Sequence, residues 1–242
     1  MPKTSAPKSK AAKPAAGKKT EVVAEKEPRG ARRRRETRTK LLDAAFRLMA
    51  ERGMDGVAIN EITEEADVGF GSFYNHFESK EAIYDALMNT VFEDFAKHLD
   101  ELTTGIEDSA VMVSHCIRFT ILRARKEPTW GKFLVREGYS ARVLSRGLGQ
   151  FLLRDILKGV GKKRFKSPDL LMSFVGVGSM VLGAIAANAE ASSLRGPLSE
   201  QLRKMGLETD NIPERAATLA LVSLGIPERE AAAIARLPLP SP

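Results

Sequence analysis

The stretch INEITEEADVGFGSFYNHF, residues 59–77, decides the fold. Its apolar residues recur at helical spacing in two short groups, separated by a segment rich in turn-forming residues. The first group is Ile59, Ile62 and Ala66, the second is Phe73 with Phe77, and Asp67-Val68-Gly69 lies between them. This pattern predicts two short helices joined by a sharp turn, with Val68 directed inward to pack on both.

The second of these helices leaves a polar and aromatic set free to face outward. Serine and asparagine can bond base edges or phosphate, an aromatic ring can contact a thymine methyl, and a tyrosine hydroxyl can reach phosphate. Gly71 would let the backbone of the helix approach the DNA backbone closely. We therefore predict a DNA-reading surface made of Asn60, Gly69, Phe70, Gly71, Ser72, Tyr74, Asn75, His76 and Lys80.

Amphipathic helices flank this unit on both sides. From Thr37 to Gly53 the apolar residues predict a first helix, which we expect to roof the reader. Ser79 is a good N-cap for a long helix that runs to about Leu99. The unit then has three helices before a long fourth one.

The positive charge of the chain is concentrated in an arm. Residues 1–40 carry 14 Lys and Arg against four Asp and Glu, whereas the remainder carries 24 against 27. A basic arm on a slightly acidic body indicates a polyanionic partner at one end. We expect residues 1–30 to be a disordered basic tail and Arg32, Arg33, Arg34 and Arg35 to reach the minor groove or phosphates. A solvated tail remains the alternative for Lys3 to Lys19.

The order and spacing of several short motifs over residues 36–95 resemble the TetR family of repressors. These motifs are Ala50-Glu51-Arg52-Gly53, then Glu61-Ile62, then Ser72-Phe73-Tyr74-Asn75-His76-Phe77-Glu78-Ser79-Lys80-Glu81-Ala82. The resemblance implies an all-α homodimer with an N-terminal helix-turn-helix domain, here residues 31–80. It also implies a helical ligand-binding and dimerisation domain, here residues 81–242, in which a small-molecule effector releases a palindromic operator.

Three positions depart from the usual family pattern. Ala58 stands where a capping threonine is common, so Glu61 lacks the hydroxyl partner of a capping box unless Asn60 takes over. Asp67 replaces the turn glycine, and Phe70 replaces a polar residue at the start of the reading helix. These changes affect the operator sequence that is read and leave the docking mode unchanged.

Downstream, apolar periodicity predicts further helices and no segment alternates as a strand should. The expected helices are 109–126, 129–137, 142–158, 168–191, 213–224 and 227–236. The uncharged segment from Leu170 to Ala189 is long enough to span a bilayer, but small residues permit close helix contact instead. We expect it to form a dimer interface through Ser179, Gly183 and Ala187, with no membrane partner.

A mixture of apolar and polar side chains on the predicted helix 109–126 and the segment after it suggests a ligand pocket. The proposed set is Met112, His115, Cys116, Phe119, Trp130, Phe133, Arg136 and Tyr139. Core packing is the alternative for most of them. A surface salt bridge is the alternative for Arg136.

Other classes of protein are disfavoured by the same sequence. The three histidines lack metal-ligand spacing, and no phosphate loop or pair of catalytic carboxylates is evident, so we predict no enzyme, metal or cofactor. A nonspecific architectural DNA-binding protein remains the alternative to a regulator. One cysteine and the lack of an apolar leader suggest a cytoplasmic protein associated with the nucleoid.

Overall fold

The computed structural model describes residues 28–139, 147–193, 200–201, 204–205 and 210–240. Within these ranges the chain is helical and contains no strand, as the apolar periodicity predicts. The helices are α1 Arg29–Arg52, α2 Ile59–Glu65, α3 Phe70–Tyr74, α4 Lys80–Met88, α5 Asp94–Leu102, α6 Ser109–Lys126, α7 Pro128–Glu137, α8 Gly147–Gly161, α9 Leu170–Ser193, α10 Ile212–Ser223 and α11 Glu228–Ala235.

Helix α1 begins eight residues earlier than the apolar pattern predicts. The sequence places its start at Thr37, but the helix extends back to Arg29. Arginine has high helix propensity, so a polar run can continue a helix that apolar periodicity does not reveal. The four arginines from Arg32 to Arg35 are therefore exposed residues of α1, and the prediction that the first helix begins only after them is wrong. Most of the predicted tail lies outside the described residues.

Helices α4 and α5 form one rod that is interrupted by a π-helical turn, Asn89–Glu93. The Ser79 hydroxyl accepts a hydrogen bond from the Ala82 N–H, which confirms the predicted N-cap of the rod. A π turn inserts an extra residue and changes the direction of the carbonyls. One of these carbonyls, that of Val91, accepts a hydrogen bond from the Trp130 indole N–H at 3.2 Å.

One hydrophobic core runs from the N-terminal helices into the body. It includes Leu41 of α1, Ile83 of α4, Phe133 of α7 and Leu221 of α10, all fully or almost fully buried. Burial of apolar side chains against one another is the main source of stability in such a bundle. The N-terminal three helices consequently rest on the body and share its core.

Candidate nucleic-acid interface and ligand cavity

We name α1, α2, α3 and their connections, residues 29–77, the reader. Phe73 is 0% exposed and packs against Phe77, while Ile62 and Ala66 are buried on α2. These four residues form the small core that the sequence predicts. Val68, in the turn, is half-buried and packs on the same core.

The turn of the reader has a left-handed residue that is not glycine. Asp67 has φ +53°, a conformation that an ordinary L-residue adopts at a cost and that Asp and Asn tolerate best. Its N–H, 3.1 Å from the Glu64 oxygen, belongs to the end of α2. Aspartate therefore fills the position that glycine occupies in the common pattern and leaves the turn intact.

The exposed face of α3 carries the aromatic and polar residues of the predicted reading surface. Phe70 and Tyr74 are 53% and 52% exposed, and their rings meet edge to face at 5.7 Å. Asn75 is exposed, and Ser72 is half-buried beside it. Two large aromatic rings on a solvent-facing helix indicate a binding surface, since such side chains are usually buried.

Helix α1 brings arginines next to the end of α3. Arg34 donates to the Asn75 carbonyl at 3.2 Å, and the Arg38 guanidinium lies 4.8 Å from the centre of the Phe77 ring. His76, between them, is half-buried. Burial first, and then the charges of Arg34 and Arg38, lower the pKa of His76. The imidazole is thus held in its neutral form more strongly than in a free chain.

Lys80 occupies a different position from the one expected for a free phosphate ligand. Its ammonium lies 3.1 Å from the Val57 carbonyl, at the loop before α2. The lysine therefore ties α4 to the reader, and its remaining two N–H donors can still reach a phosphate. Asn60, Gly69 and Gly71 are also exposed.

Helix α2 begins with half of a capping box. The Ala58 N–H donates to the Glu61 carboxylate at 2.8 Å, and Arg52 contacts the other carboxylate oxygen at 2.7 Å. The Ala58 N–H and then Arg52 lower the pKa of Glu61. The alanine methyl cannot accept a hydrogen bond from the first turn of the helix in return.

Replacing Ala58 by threonine should complete the box and stabilise the reader. A hydroxyl N-cap is worth about 1 kcal/mol, which corresponds to roughly 2–4 °C in Tm for a chain of this size. Thermal unfolding followed by circular dichroism measures the effect. The control is Ala58→Val, because valine has the shape of threonine but no hydroxyl and should not stabilise the protein. An equal gain in Tm from valine would refute the capping explanation.

A cavity of about 400 Å³ lies in the body, between α5, α6, α8 and α9. Its walls are mainly apolar, which is typical of small-molecule sites. The apolar lining includes Ala96, Leu99, Val113, Ile117, Leu134, Leu148, Phe151, Leu152, Phe174, Val175 and Leu182. Polar side chains come from Asp100, Thr103, Cys116, Thr120, Tyr139, Arg154, Asp155 and Ser179.

Most of the charge in this cavity is collected at one corner, which we name the acidic corner: Asp100, Arg154 and Asp155. Arg154 contacts Asp100 at 2.7 Å and Asp155 at 2.8 Å, and its guanidinium lies over the Phe151 ring at 4.6 Å. Asp155 is only 4% exposed. Charge-assisted hydrogen bonds of this type fix the positions of the two carboxylates.

Burial dominates the titration of Asp155 and of the neighbouring thiol. Desolvation raises the pKa of Asp155 despite the opposing hydrogen bond and charge of Arg154. Burial, with the Asp155 charge, also raises the pKa of Cys116 to about 12, so the thiol remains protonated near neutral pH. Asp155 is consequently the titratable carboxyl at which this corner can respond to pH.

The raised pKa of Asp155 predicts a specific pH dependence of stability. The contribution of Asp155 to the free energy of unfolding is fully present below the pKa that this carboxyl has in the unfolded chain. It is lost as pH rises through the pKa that the carboxyl has in the folded protein. The Tm of the wild type should therefore fall relative to Asp155→Asn between pH 4 and pH 7, as scanning calorimetry can measure. A constant difference between the two proteins over that range would contradict the assignment.

The structure changes the predicted ligand set. Cys116 and Tyr139 lie in the cavity wall. The other six predicted residues, Met112, His115, Phe119, Trp130, Phe133 and Arg136, lie outside it. Met112, His115, Trp130 and Phe133 are buried in packing between helices, and Arg136 is bonded to α1. The sequence reasoning missed the acidic corner; the adjacent Arg154-Asp155 pair on an otherwise apolar helix was its one available signal.

The predicted dimer residues on α9 differ in exposure. Gly183 and Ala187 are exposed, while Ser179 is half-buried and lines the cavity. The same helix and α10 also expose large apolar side chains, namely Leu171, Met172, Val175, Leu219 and Val222. Residues Leu170–Glu190 contain an 18-residue window with a mean hydropathy of 2.1, of which 28% is buried, so by length and composition this helix could cross a membrane.

Comparisons with known proteins agree with this architecture. A family model for bacterial regulatory proteins of the TetR family matches residues 41–87, and one for a tetracyclin repressor-like C-terminal domain matches residues 108–237. The fold and the reader define a helix-turn-helix transcriptional regulator. Since the second model alone covers more than half of the sequence, the chain belongs to the TetR family, whose members are DNA-binding regulators and not enzymes.

Individual relatives match the reader more than the body. The chain is 36% identical over 76 residues to the transcriptional repressor KstR2 of Rhodococcus jostii, which is 31% of this chain and 37% of that protein. It is 38% identical over 74 residues to the repressor DhaR of Mycobacterium sp. strain GP1. This match spans 31% of this chain and 36% of DhaR. The chain thus matches little more than a third of the length of these curated relatives.

A solved structure extends the likeness to the body. The crystal structure of RolR in complex with resorcinol is 32% identical, covers 87% of this chain and 98% of that one, and has a TM-score of 0.60. FadR of Bacillus subtilis, solved with stearoyl-CoA, shares the fold at 14% identity and a TM-score of 0.57. The reader and the body therefore belong to one known fold.

Proposed function

We propose that this regulator is a repressor that binds a palindromic operator as a homodimer, with α3 in the major groove. The observation that carries the proposal is the division of α3 into a buried face, held by Phe73, and an exposed face with Phe70, Tyr74 and Asn75. A helix held in this way can present base-reading side chains at fixed positions. A cytoplasmic location at the nucleoid is part of the proposal.

The arginines at the start of α1 supply the phosphate contacts in this proposal. Arg32 to Arg35 are exposed on α1, and Arg34 among them also contacts the end of α3. Each phosphate neutralised steepens the dependence of binding on salt. The remaining predicted contacts, from Asn60, Gly69, Gly71, Ser72, His76 and Lys80, complete the surface around α3.

The exposed apolar face of α9 and α10 supports the second copy of the chain as its partner. Val175 on α9 and Leu219 and Val222 on α10 would otherwise face water. A Cβ added at Gly183 would meet no atom within 4 Å, so another helix can approach closely there. A two-fold pair of such faces places two readers on the two halves of a palindrome.

For the effector, we propose a small aromatic molecule that carries hydroxyl groups. RolR was solved with resorcinol, a ring with two hydroxyls, and the cavity of this chain combines an apolar wall with one acidic corner. A hydroxyl can donate to the Asp155 or Asp100 carboxylate while the ring packs on Phe151 and Phe174. Removing the hydroxyls would leave the buried carboxylate without that partner, which is costly.

The operator is tested by capture of genomic DNA fragments on the purified protein, followed by footprinting. One enriched palindrome, bound far more tightly than unrelated DNA, is the expected result. Equal affinity for all fragments would instead indicate an architectural protein. The effector is tested by calorimetry with resorcinol, phenol and toluene, for which we expect affinity to fall in that order; tightest binding of toluene would refute the role of the acidic corner.

A further inference from the structure

Helix α7 lies between the cavity and the reader. Leu134 of α7, with Gly138 and Tyr139 just beyond its end, lines the cavity. The ring of Phe133, one residue earlier, meets Phe46 of α1 at 5.3 Å and Phe92 of the π turn at 5.5 Å. A single helix therefore has one side on the cavity and another on α1.

Arg136, on the last turn of α7, contacts the C-terminal end of α1. Its Nη2 lies 2.7 Å from the Glu51 carbonyl oxygen and its Nε lies 3.4 Å from that of Ala50. The Met49 carbonyl is already taken by the N–H of Gly53, which ends the helix with φ +74°. Arg136 thus binds carbonyls that no later turn of α1 can satisfy.

The electrostatics of this contact favour a cation at this position. The end of a helix carries a partial negative charge, and the planar guanidinium can donate to two carbonyls at once. Lys132, one turn earlier on α7, makes a simpler contact, a 3.1 Å ion pair with the Glu51 side chain. Both partners of that pair are more than half exposed, so it contributes little.

We propose that Arg136 is a positioning residue that fixes the angle between the reader and the body, and thereby the separation of the two readers in the dimer. Phe133 provides the apolar contact about which α1 could tilt, and Arg136 prevents that tilt by holding the end of α1. Because α7 also borders the cavity, the same contact passes a displacement of α7 to the reader. The inference rests on the proposed homodimer and its paired half-sites.

The direct test measures the distance between the two readers without DNA or effector. Glu64 is exposed on α2, so Glu64→Cys can carry a spin label, while the native Cys116 is half-buried and its thiol stays protonated near neutral pH. Pulsed electron spin resonance should give a narrow distance distribution in the Glu64→Cys protein. Adding Arg136→Met should broaden it, and adding Lys132→Met, the matched control, should leave it narrow. An unchanged distribution with Arg136→Met would overturn the proposal.

A second measurement uses the operator that genomic capture provides. The assay is a competition between operators that differ by one base pair in the spacing of their half-sites. The wild type should prefer the best spacing, and Arg136→Met should reduce that preference about tenfold. A role confined to stability would reduce the active fraction and leave this preference unchanged, which would count against positioning. Arg136→Lys should retain part of the preference and replaces Arg136→Met if the latter does not fold.

The two proposals can fail separately. If no palindromic site is captured, the proposed operator binding is wrong, and the distance measurement still decides the role of Arg136. If a palindrome is captured but its spacing preference survives Arg136→Met, only the positioning role is wrong.

Discussion

Phe73→Ala should lower the free energy of unfolding of the reader by about 3–5 kcal/mol and abolish operator binding. The ring is 0% exposed and contacts Phe77 at 5.8 Å between centroids, so its removal leaves a cavity in a very small core. The neighbouring helices cannot close this cavity without moving α3. Denaturant unfolding gives the stability, and fluorescence anisotropy with labelled operator gives the affinity.

Phe70→Ala, three residues away on the same helix, is the matched comparison. Its ring is 53% exposed, so stability should change by less than about 0.5 kcal/mol. Operator affinity should nevertheless fall about tenfold if the ring contacts a base edge. A loss of stability equal to that of Phe73→Ala would show that Phe70 is part of the core and would refute its placement in the groove.

Arg154→Met should have the second largest effect, by breaking the acidic corner. The substitution leaves the buried Asp155 without its 2.8 Å partner, at a cost of about 1–3 kcal/mol near neutral pH. Resorcinol binding should be lost, because two unpaired carboxylates repel each other and no longer hold a fixed geometry. Removing Arg154 also raises the pKa of Asp155 further, so protonation at lower pH should restore part of the stability.

The control for Arg154 is an ion pair with similar geometry at the surface. Arg47 contacts Glu65 at 2.9 Å, and both side chains are about half exposed. Arg47→Met should cost no more than about 1 kcal/mol and show no recovery at lower pH. If both substitutions cost the same at every pH, the burial of Asp155 would have no role in the effect. Denaturant unfolding at pH 5 and pH 7 provides the comparison.

The reader could be predicted because its determinants are local. The spacing of Ile62 and Ala66, and of Phe73 and Phe77, specifies which face of each short helix is buried. Ser79 marks the next helix by its own side chain, and the observed cap confirms it. Helix α1 was the exception, because its arginine-rich first turns form a helix by propensity and lack the apolar pattern that marks the remainder.

The cavity could not be predicted in the same way because its lining is assembled from distant segments. Asp100 lies in the last turn of the long rod, and Arg154 with Asp155 lies on α8, more than 50 residues later. Trp130 and Phe133 look like ligand-binding aromatics in the sequence, but helix packing makes them core. Which side of α7 faces the cavity depends on the angle at which four helices meet, and no single segment encodes it.

The sequence by itself determined the helix-turn-helix, its buried and exposed faces, and the all-helical class, because spacing along one helix decides which side chains share a face. The tertiary structure alone decided the acidic corner and the contact of Arg136 with the end of α1. Both depend on the distance between residues far apart in the chain. Only the packing of whole helices fixes that distance, and with it the burial that sets the pKa of Asp155.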